Sequence, residues 1–302
     1  MSLGVDEIEG ILSGHERMPT GASFPDGAVF GNWRVTAFLG KGGSGEVYRA
    51  VHVALGTPAA VKVLVRDEPR ARERFLREAK LLSELKSASF PQFLEYGEAN
   101  GCFYFVMELL EPGDLPFGDR DVARFLRQVC DAVAELHARG IVHRDIKPSN
   151  ILWRMGGTRS VASAVPVLAD LGLAKYVDGG QSAAYSFSTF NSPFSTRSGV
   201  GTPGYGAPEQ MERGEASVAS DIHALGVLAD RCFDGKPPRT WMRIIERATS
   251  SIPDRRYQSV EEFLRAIRRR NLWRIVGRVV LAFFLIGLLV DVLIAVVIVW
   301  LW

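Results

Sequence analysis

The segment HRDIKPSN, at residues 143 to 150, decides how the rest of the chain is interpreted. It is followed by ADLG at residues 169 to 172 and by GTPGYGAPEQ at residues 201 to 210. Two further motifs precede it, the glycine-rich LGKGGSGEVY at residues 39 to 48 and AAVKVL at residues 59 to 64. These five motifs, in this order along the chain, guide the prediction of fold and function.

The glycines Gly40, Gly42 and Gly45 form the pattern G-x-G-x-x-G between two strand-like segments. Such glycines let a backbone approach phosphate groups closely and offer amide donors with no side chain in the way. A tight hairpin turn uses similar residues, so the pattern alone leaves both interpretations open. A dinucleotide-binding fold would need the glycines to open a helix, whereas the strand-like EVYRAV follows them here.

Lys62 lies among apolar residues on the next strand-like segment. A lysine in that setting either extends outward to solvent or pairs with an anion inward. Glu78, on the following helical segment, is a suitable partner. Glu73 is a weaker candidate because its helical position faces away from the Leu82 side.

The five motifs together resemble those of the protein kinases, over about residues 33 to 267. The segments VMELLEPGDL and YGAPEQ are most similar to those of bacterial Ser/Thr kinases of the eukaryotic type. Lys147, two residues after Asp145, is the residue typical of Ser/Thr kinases at that position of the loop. The resemblance implies an α+β fold with two lobes, a small β-rich one and a larger helical one. It also implies ATP and Mg²⁺ as ligands and proteins with Ser or Thr acceptors as substrates.

The resemblance assigns catalytic roles to Asp145, Lys147, Asn150 and Thr202, and metal ligation to Asn150 and Asp170. Asp145 would accept or orient the proton of the substrate hydroxyl, and Lys147 would neutralise the γ-phosphate. Asn150 and Asp170 would supply the oxygen ligands that Mg²⁺ prefers. Thr202 would lie beside Asp145 and favour hydroxyl amino acids.

The resemblance likewise outlines an ATP pocket. Lys62, held by Glu78, would fix the α- and β-phosphates, and Met107 would be the gatekeeper. The backbone from Glu108 to Leu110 would bind adenine. The remaining pocket residues implied are Leu39, Gly40, Gly42, Gly45, Val47, Ala60 and Leu152.

Three further residues are expected to be structural rather than chemical. His143 is expected to be a packed core histidine that supports the loop. Glu209 is expected to form an ion pair with Arg256, and Asp221 to anchor the backbone of the catalytic loop.

The chain departs from the kinase pattern in three places. Leu171 stands where Phe is commoner, which keeps an apolar side chain. Nineteen residues separate Asn150 from Asp170, which predicts an enlarged surface turn. The interval from Asp221 to Arg256 is short and lacks most of the helix that docks protein substrates, so a pseudokinase scaffold that binds nucleotide and recruits partners is the alternative function.

Arg144, just before the catalytic aspartate, suggests regulation by phosphorylation. A cation there can pair with a phosphate on the activation segment and order it. The segment QSAAYSFSTFNSPFSTRSGV, at residues 181 to 200, is rich in hydroxyl groups. We expect autophosphorylation at Ser195, Thr196 or Ser198.

Charge and hydropathy divide the chain into unequal parts. Residues 1–264 have a net charge of −3, whereas residues 265–302 have a net charge of +5. The slightly acidic body offers no basic face for nucleic acid. We predict a flexible leader at 1–30, a kinase domain at 31–270 with lobes at 31–110 and 111–270, and a basic segment at 271–278.

The last 24 residues, 279–302, predict a transmembrane helix. Asp291 is their single charge, and 18 of them are Val, Ile, Leu or Phe. A helix of that length measures about 36 Å, against a hydrocarbon core of about 30 Å. The arginines that precede it predict a cytoplasmic kinase domain. Gly287, Asp291 and Ala295 share one face and suggest a homodimer, whereas the alternative is a lone anchor.

Overall fold

The structure is a computed structural model that describes residues 22–155, 164–176 and 201–301, without the side chains of 271–279 and 291–301. The first half of the described chain carries six strands and two helices. In chain order these are β1 (Val29–Phe30), β2 (Trp33–Gly42), β3 (Gly45–His52), β4 (Pro58–Val63), α1 (Pro69–Glu84), β5 (Phe93–Ala99), β6 (Cys102–Met107) and α2 (Asp119–Ala138).

The second half carries short strands around the cleft and then helices. Its elements are β7 (Ile141–Val142), β8 (Ile151–Arg154), β9 (Val165–Leu168), β10 (Lys175–Tyr176), α3 (Pro208–Arg213), α4 (Val218–Arg231), α5 (Arg239–Ala248) and α6 (Val260–Leu301). Short 3-10 helices lie at Pro148–Asn150, Leu171–Leu173 and Pro253–Arg255. The protein is therefore a two-lobed α+β fold, as the sequence predicts.

The small lobe is an antiparallel sheet in the order β1-β2-β3-β4-β6-β5, with α1 against one face. Alternation along the strands separates two apolar surfaces. Phe75 of α1 packs against Phe105 of β6 with ring centroids 5.0 Å apart. The opposite face forms a second core that includes Tyr48, Val61 and Val63.

The chain ahead of β2 closes that second core. Phe30 is fully buried, and Phe24 packs edge to face against it at 5.0 Å. The structure therefore corrects the predicted flexible leader at 1–30, because residues 22–30 belong to the folded lobe. Gly, Pro and Ser in this segment suggested disorder, but its aromatic side chains cover a sheet face that water would otherwise reach. Residues 1–21 lie outside the described chain.

The large lobe is organised by α2 and α4. Apolar side chains of α2 such as Val122, Phe125 and Leu136 are buried, and Gly140, with φ 72°, follows the end of the helix. Seven residues, 232–238, join α4 to α5, and none of them is helical. The interval from Asp221 to Arg256 holds most of α4 and all of α5. That it lacks most of a helix that docks protein substrates stays a prediction.

One continuous helix, α6, joins the end of the predicted kinase domain to the predicted apolar stretch. Its start is buried in the large lobe through Phe263 and Ile267. Arg270 stacks on Trp241 at 3.9 Å and forms an ion pair with Asp119 at 2.9 Å. From Val280 to Val290 the apolar side chains are largely exposed. Among the helices whose side chains the structure describes, none combines the length and apolar character needed to cross a membrane.

Candidate active site

Three elements bring an ammonium and two carboxylates together in the cleft between the lobes. Lys62 on β4 lies 2.6 Å from Glu78 on α1 and 3.9 Å from Asp170, which precedes the 3-10 helix Leu171–Leu173. Burial lowers the pKa of the Lys62 ammonium, but Glu78 and Asp170 raise it above its ordinary value. Lys62 is therefore a fixed positive charge that faces into the cleft. Glu73 instead bonds to Arg77, one turn along the same helix.

A second cluster forms around Asp145. Thr202 donates its hydroxyl to Asp145 Oδ1 at 2.6 Å, and Lys147 Nζ lies 2.7 Å from Asp145 Oδ2. Lys147 also donates to the Thr202 hydroxyl at 2.7 Å. Asn150 donates its amide to Asp145 Oδ2 at 3.0 Å. The structure thus brings together the four residues to which the sequence assigns catalysis.

Asp221 holds the backbone of this catalytic loop from below. Its carboxylate accepts the amides of His143 at 2.8 Å and Arg144 at 2.9 Å, and it contacts the His137 ring at 2.8 Å. Arg144 has φ 73°, a left-handed conformation that is costly for a residue with a side chain. The anchoring role expected of Asp221 is confirmed, and its contacts stabilise this strained backbone.

Two further structural expectations are confirmed. His143 is fully buried and its ring lies 3.3 Å from the Ala169 carbonyl oxygen, so it supports the loop. Arg256 makes a two-pronged ion pair with Glu209, with distances of 2.7 and 2.8 Å. Leu171 is also fully buried, which fits its predicted apolar role.

Asp170 is oriented by a tight turn. It has φ 58°, and its Oδ1 accepts the Gly172 amide at 3.3 Å. Burial raises the pKa of the Asp170 carboxyl, but Lys62 and the Gly172 amide bring it below its ordinary value. Asp170 is therefore ionised, with its side chain 41% exposed to the cleft.

The glycine-rich motif is a hairpin between β2 and β3. Gly40 pairs with Val47 and Gly42 with Gly45. Gly45 has φ 151°, and a Cβ there would lie 2.3 Å from the Val63 carbonyl oxygen, so this position requires glycine. The hairpin explanation and the phosphate-binding explanation are compatible here, because Ser44 in the turn bonds to Glu78, the partner of Lys62.

The remaining residues expected to bind adenine lie on β2, β3, β4, β6 and β8 and in the segment after β6. Ala60 pairs with Met107 across β4 and β6. Leu152 lies on β8. Leu39 is 47% exposed at the mouth, and Leu110 is buried. Val47, on β3, pairs with Lys62.

The hinge is the segment at residues 108–110, and part of its backbone is already hydrogen-bonded within the protein. The Glu108 amide donates to the Gln92 carbonyl at 2.8 Å. Of the backbone expected to bind adenine, the Glu108 amide is therefore already engaged within the protein.

Arg154 has a role that the sequence motifs do not indicate. Its guanidinium makes a two-pronged contact with Glu108, with both distances 2.6 Å, and donates to the carbonyls of Ala88 and Phe90. It ties the hinge to β8 and to the loop after α1. An arginine that ends an apolar strand, ILWR, was the signal that could have indicated a partner.

Ser44, at the tip of the hairpin, also has a role that the motifs do not indicate. Ser44 is buried and donates to Glu78 Oε2 at 3.2 Å. It thereby joins the glycine-rich turn to the Lys62 pair. Nothing in the local sequence signals a contact across 34 residues.

The donor set fits Mg²⁺ together with phosphate oxygens. Within the described residues no cluster of three or more His, Cys, Asp or Glu could hold a metal ion by itself. Mg²⁺ is commonly held by one or two carboxylates plus substrate phosphates and water. Asn150 uses its NH₂ group on Asp145, which leaves its oxygen, with Asp170, as the hard ligands available.

With this geometry, the chain can be placed among known proteins. The family model described as protein kinase domain matches residues 33–266. The chain belongs to the protein kinase family. It resembles the serine/threonine-protein kinase pkn2 of Myxococcus xanthus, with 34% identity over 71% of this chain and 26% of that protein. It also resembles the DNA damage-responsive serine/threonine-protein kinase RqkA of Deinococcus radiodurans, with 36% identity over 71% of this chain and 31% of that protein.

A solved structure shows the same fold. The kinase domain of Mycobacterium tuberculosis PknI matches with a TM-score of 0.58 and 22% identity, over 82% of this chain and all of that domain. The chain spans only about a quarter to a third of the length of the two relatives above, at 26% and 31%. The comparisons therefore establish the family and the fold.

Replacing Asp221 with Asn should destabilise the protein by roughly 2–4 kcal/mol at pH 7, since an acceptor of buried donors is lost. Burial raises the pKa of Asp221, but the His137 contact and the loop amides hold it below its ordinary 3.8. The carboxylate's contribution is therefore complete above the pKa of the unfolded chain, about 3.9, and is lost as pH falls through the lower folded value.

Thermal unfolding of the full chain between pH 7 and pH 3 measures this effect. The gap in Tm between wild type and Asp221→Asn should narrow only below about pH 4. Asp254→Asn, at an exposed aspartate, is the matched control and should change stability by less than about 0.5 kcal/mol. A gap that is unchanged down to pH 3 would contradict the prediction.

Proposed function

We propose that this protein is an ATP- and Mg²⁺-dependent kinase that phosphorylates Ser and Thr hydroxyls of proteins. The observation that carries the proposal is the convergence of two clusters on one cleft. Lys62, Glu78 and Asp170 form one, at 2.6 and 3.9 Å. Asp145 and Thr202 form the core of the other, at 2.6 Å.

Each group has a task that its charge and position support. Lys62 binds phosphate oxygens because its ammonium faces the cleft and Glu78 fixes its direction. Asp145 accepts the proton of the acceptor hydroxyl, and Lys147, at 2.7 Å from it, offsets negative charge on the transferred group. Mg²⁺, when bound by Asn150 and Asp170, supplies further neutralisation of phosphate charge. Most of the rate enhancement then comes from alignment and electrostatics.

Incubating the full chain with labelled ATP, Mg²⁺ and a generic acceptor protein tests this function. Asp145→Asn should lower incorporation by at least about 100-fold, because it removes the proton acceptor. Chelation of Mg²⁺ should abolish incorporation in wild type. Asp254→Asn is the control for the loss of a carboxylate, because Asp254 is exposed and belongs to neither cluster.

Equal incorporation by wild type and Asp145→Asn would contradict the proposed mechanism. Nucleotide binding without incorporation would instead favour the pseudokinase scaffold.

We further propose that phosphorylation of the activation segment activates the enzyme. Arg144 supports this, because its Nε is buried without a hydrogen-bond partner among the described residues. Burial lowers the pKa of Arg144, and the nearby Arg77 and Arg74 lower it further, although Asp221 acts in the opposite direction. Three guanidinium groups that repel one another would be stabilised by a phosphate dianion. The candidate acceptors, Ser195, Thr196 and Ser198, lie outside the described residues.

Phosphopeptide mapping of the full chain after incubation with ATP and Mg²⁺ should find phosphate on Ser195, Thr196 or Ser198. Replacing all three with Ala should lower activity towards the generic acceptor, because Arg144 then has no anion to pair with. Alanine at Ser182, Ser186 and Ser188 is the matched control and should leave activity near wild type. An active preparation that carries no phosphate on the first three residues would disprove this assignment.

The last proposal concerns location. We propose that residues 279–302 anchor the protein in a membrane as a dimer, with the catalytic domain at 31–270 and the basic segment at 271–278 on the cytoplasmic side. The support is the apolar sequence and the exposure of side chains such as Phe283, 72% exposed, and Leu289, 70% exposed. A Cβ on Gly287 meets no atom within 4 Å, so a second helix could approach there.

Crosslinking of the full chain in membranes tests the dimer. Gly287→Leu and Asp291→Leu should each lower the crosslinked fraction, because they remove close approach and a polar contact. Leu289→Ala, off the Gly287 face, should not. Release of the protein from the membrane by alkaline carbonate would contradict the anchor. Equal crosslinking in all variants would contradict only the dimer.

A further inference from the structure

A strap of chain, residues 22–28, covers the small lobe ahead of the part that matches the kinase family, which begins at residue 33. The Gly27 amide donates to the Val35 carbonyl at 2.9 Å, and the Val35 amide donates to the Ala28 carbonyl at 2.8 Å. Phe24 packs edge to face against Tyr48 with centroids 6.1 Å apart. The strap is therefore fixed to β2 by its backbone and to the second core by an aromatic side chain.

One buried carboxylate joins the strap to the glycine-rich hairpin. Glu46, directly after Gly45, is fully buried. It accepts the Ser23 amide at 2.9 Å and the Ser23 hydroxyl at 3.0 Å. Tyr48 and Lys41 complete its contacts at 2.5 and 2.8 Å. A buried carboxylate needs such donors, so half of its contacts depend on the strap.

The carboxylate is charged in this setting. Burial raises the pKa of Glu46, but the hydrogen bonds from Lys41, Tyr48 and Ser23 lower it below its ordinary value. Burial, together with the hydrogen bond to Glu46, raises the pKa of Tyr48 to about 12. Ser23 as a residue is exposed, and its hydroxyl donates to a buried anion.

Glu46 is also placed to control the phosphate-binding turn. It pairs with Lys41 across the hairpin, and the next pair is Gly42 with Gly45 at the tip. Val47, its neighbour along β3, faces the opposite side of the sheet, towards the ATP pocket. A change at Ser23 therefore reaches the glycine-rich turn through a single side chain.

We propose that Ser23 is a regulatory phosphorylation site whose phosphate releases the strap from Glu46 and loosens the glycine-rich hairpin. The proposal rests on the proposed kinase function, since a second copy of this chain supplies the activity. The Ser23 Oγ forms a bond to the γ-phosphorus of ATP, the bond from that phosphorus to the β–γ bridging oxygen breaks, and ADP leaves. The hydroxyl proton passes to the Asp145 carboxylate of the second copy.

The phosphate acts through charge. It replaces a donor hydroxyl with a dianion within hydrogen-bond distance of a buried carboxylate, and like charges at that distance repel strongly where water is scarce. Lys41 is half exposed and is free to turn towards the phosphate, which would remove another donor from Glu46. The hairpin then loses its fixed position over Lys62.

Phosphoserine installed at position 23 of the full chain by an expanded genetic code tests the effect. The KM for ATP should rise by about threefold or more, with a smaller change in kcat, because ground-state positioning of the phosphates is lost. Phosphoserine at exposed Ser251, in the large lobe, is the matched control and should leave both constants unchanged. An unchanged KM for the Ser23 form would overturn the proposal.

A second background separates repulsion from unfolding. In Glu46→Gln the carboxylate charge is absent, so phosphoserine at position 23 should raise KM by less than it does in wild type. An equal rise in both backgrounds would overturn the charge mechanism. A lower Tm in both backgrounds with no change in KM would do the same.

Phosphorylation by a second copy is tested with Asp145→Asn full chain as the acceptor and wild type as the enzyme. Phosphate on Ser23 of the inactive copy supports the proposal. If wild type labels the generic acceptor but never Ser23, the modification is overturned while the kinase function stands. If wild type labels nothing, both fail together.

Discussion

The catalytic loop depends on one buried carboxylate. Asp221 accepts two consecutive backbone amides, those of His143 and Arg144, at 2.8 and 2.9 Å. Without it, Arg144 would leave its left-handed conformation, and Asp145 would no longer point at Thr202. Because Asp221 lies on α4, in the middle of the large lobe, the geometry of the cleft is tied to the best-packed part of the fold.

In the small lobe the central charged group is a cation, Lys62, rather than a carboxylate. Lys62 is buried and pairs with Glu78 and Asp170. Ser44 adds a contact from the glycine-rich turn to Glu78. The small lobe thus presents a cation, and the large lobe presents a carboxylate, Asp145. Transfer of an anionic group to a hydroxyl requires both charges.

Contacts between motifs were predictable, and contacts that depend on packing were not. Glu78 could be paired with Lys62 because helical periodicity gives its face, and Asp221 could be assigned because the motif order identifies the loop. Arg154 and the strap around Phe24 carry no periodic signal. Their partners are set by how distant segments pack, and composition even argued for disorder at residues 22–30.

The contacts of Arg154 have a mechanical consequence for domain motion. Its guanidinium belongs to the large lobe, yet besides its two-pronged contact with Glu108 it donates to the carbonyls of Ala88 and Phe90, just after the C-terminal end of α1. That end of α1 is therefore tethered to the large lobe. We expect any motion that separates Glu78 from Lys62 to be a rotation of α1 about this tethered end rather than a translation of the whole helix.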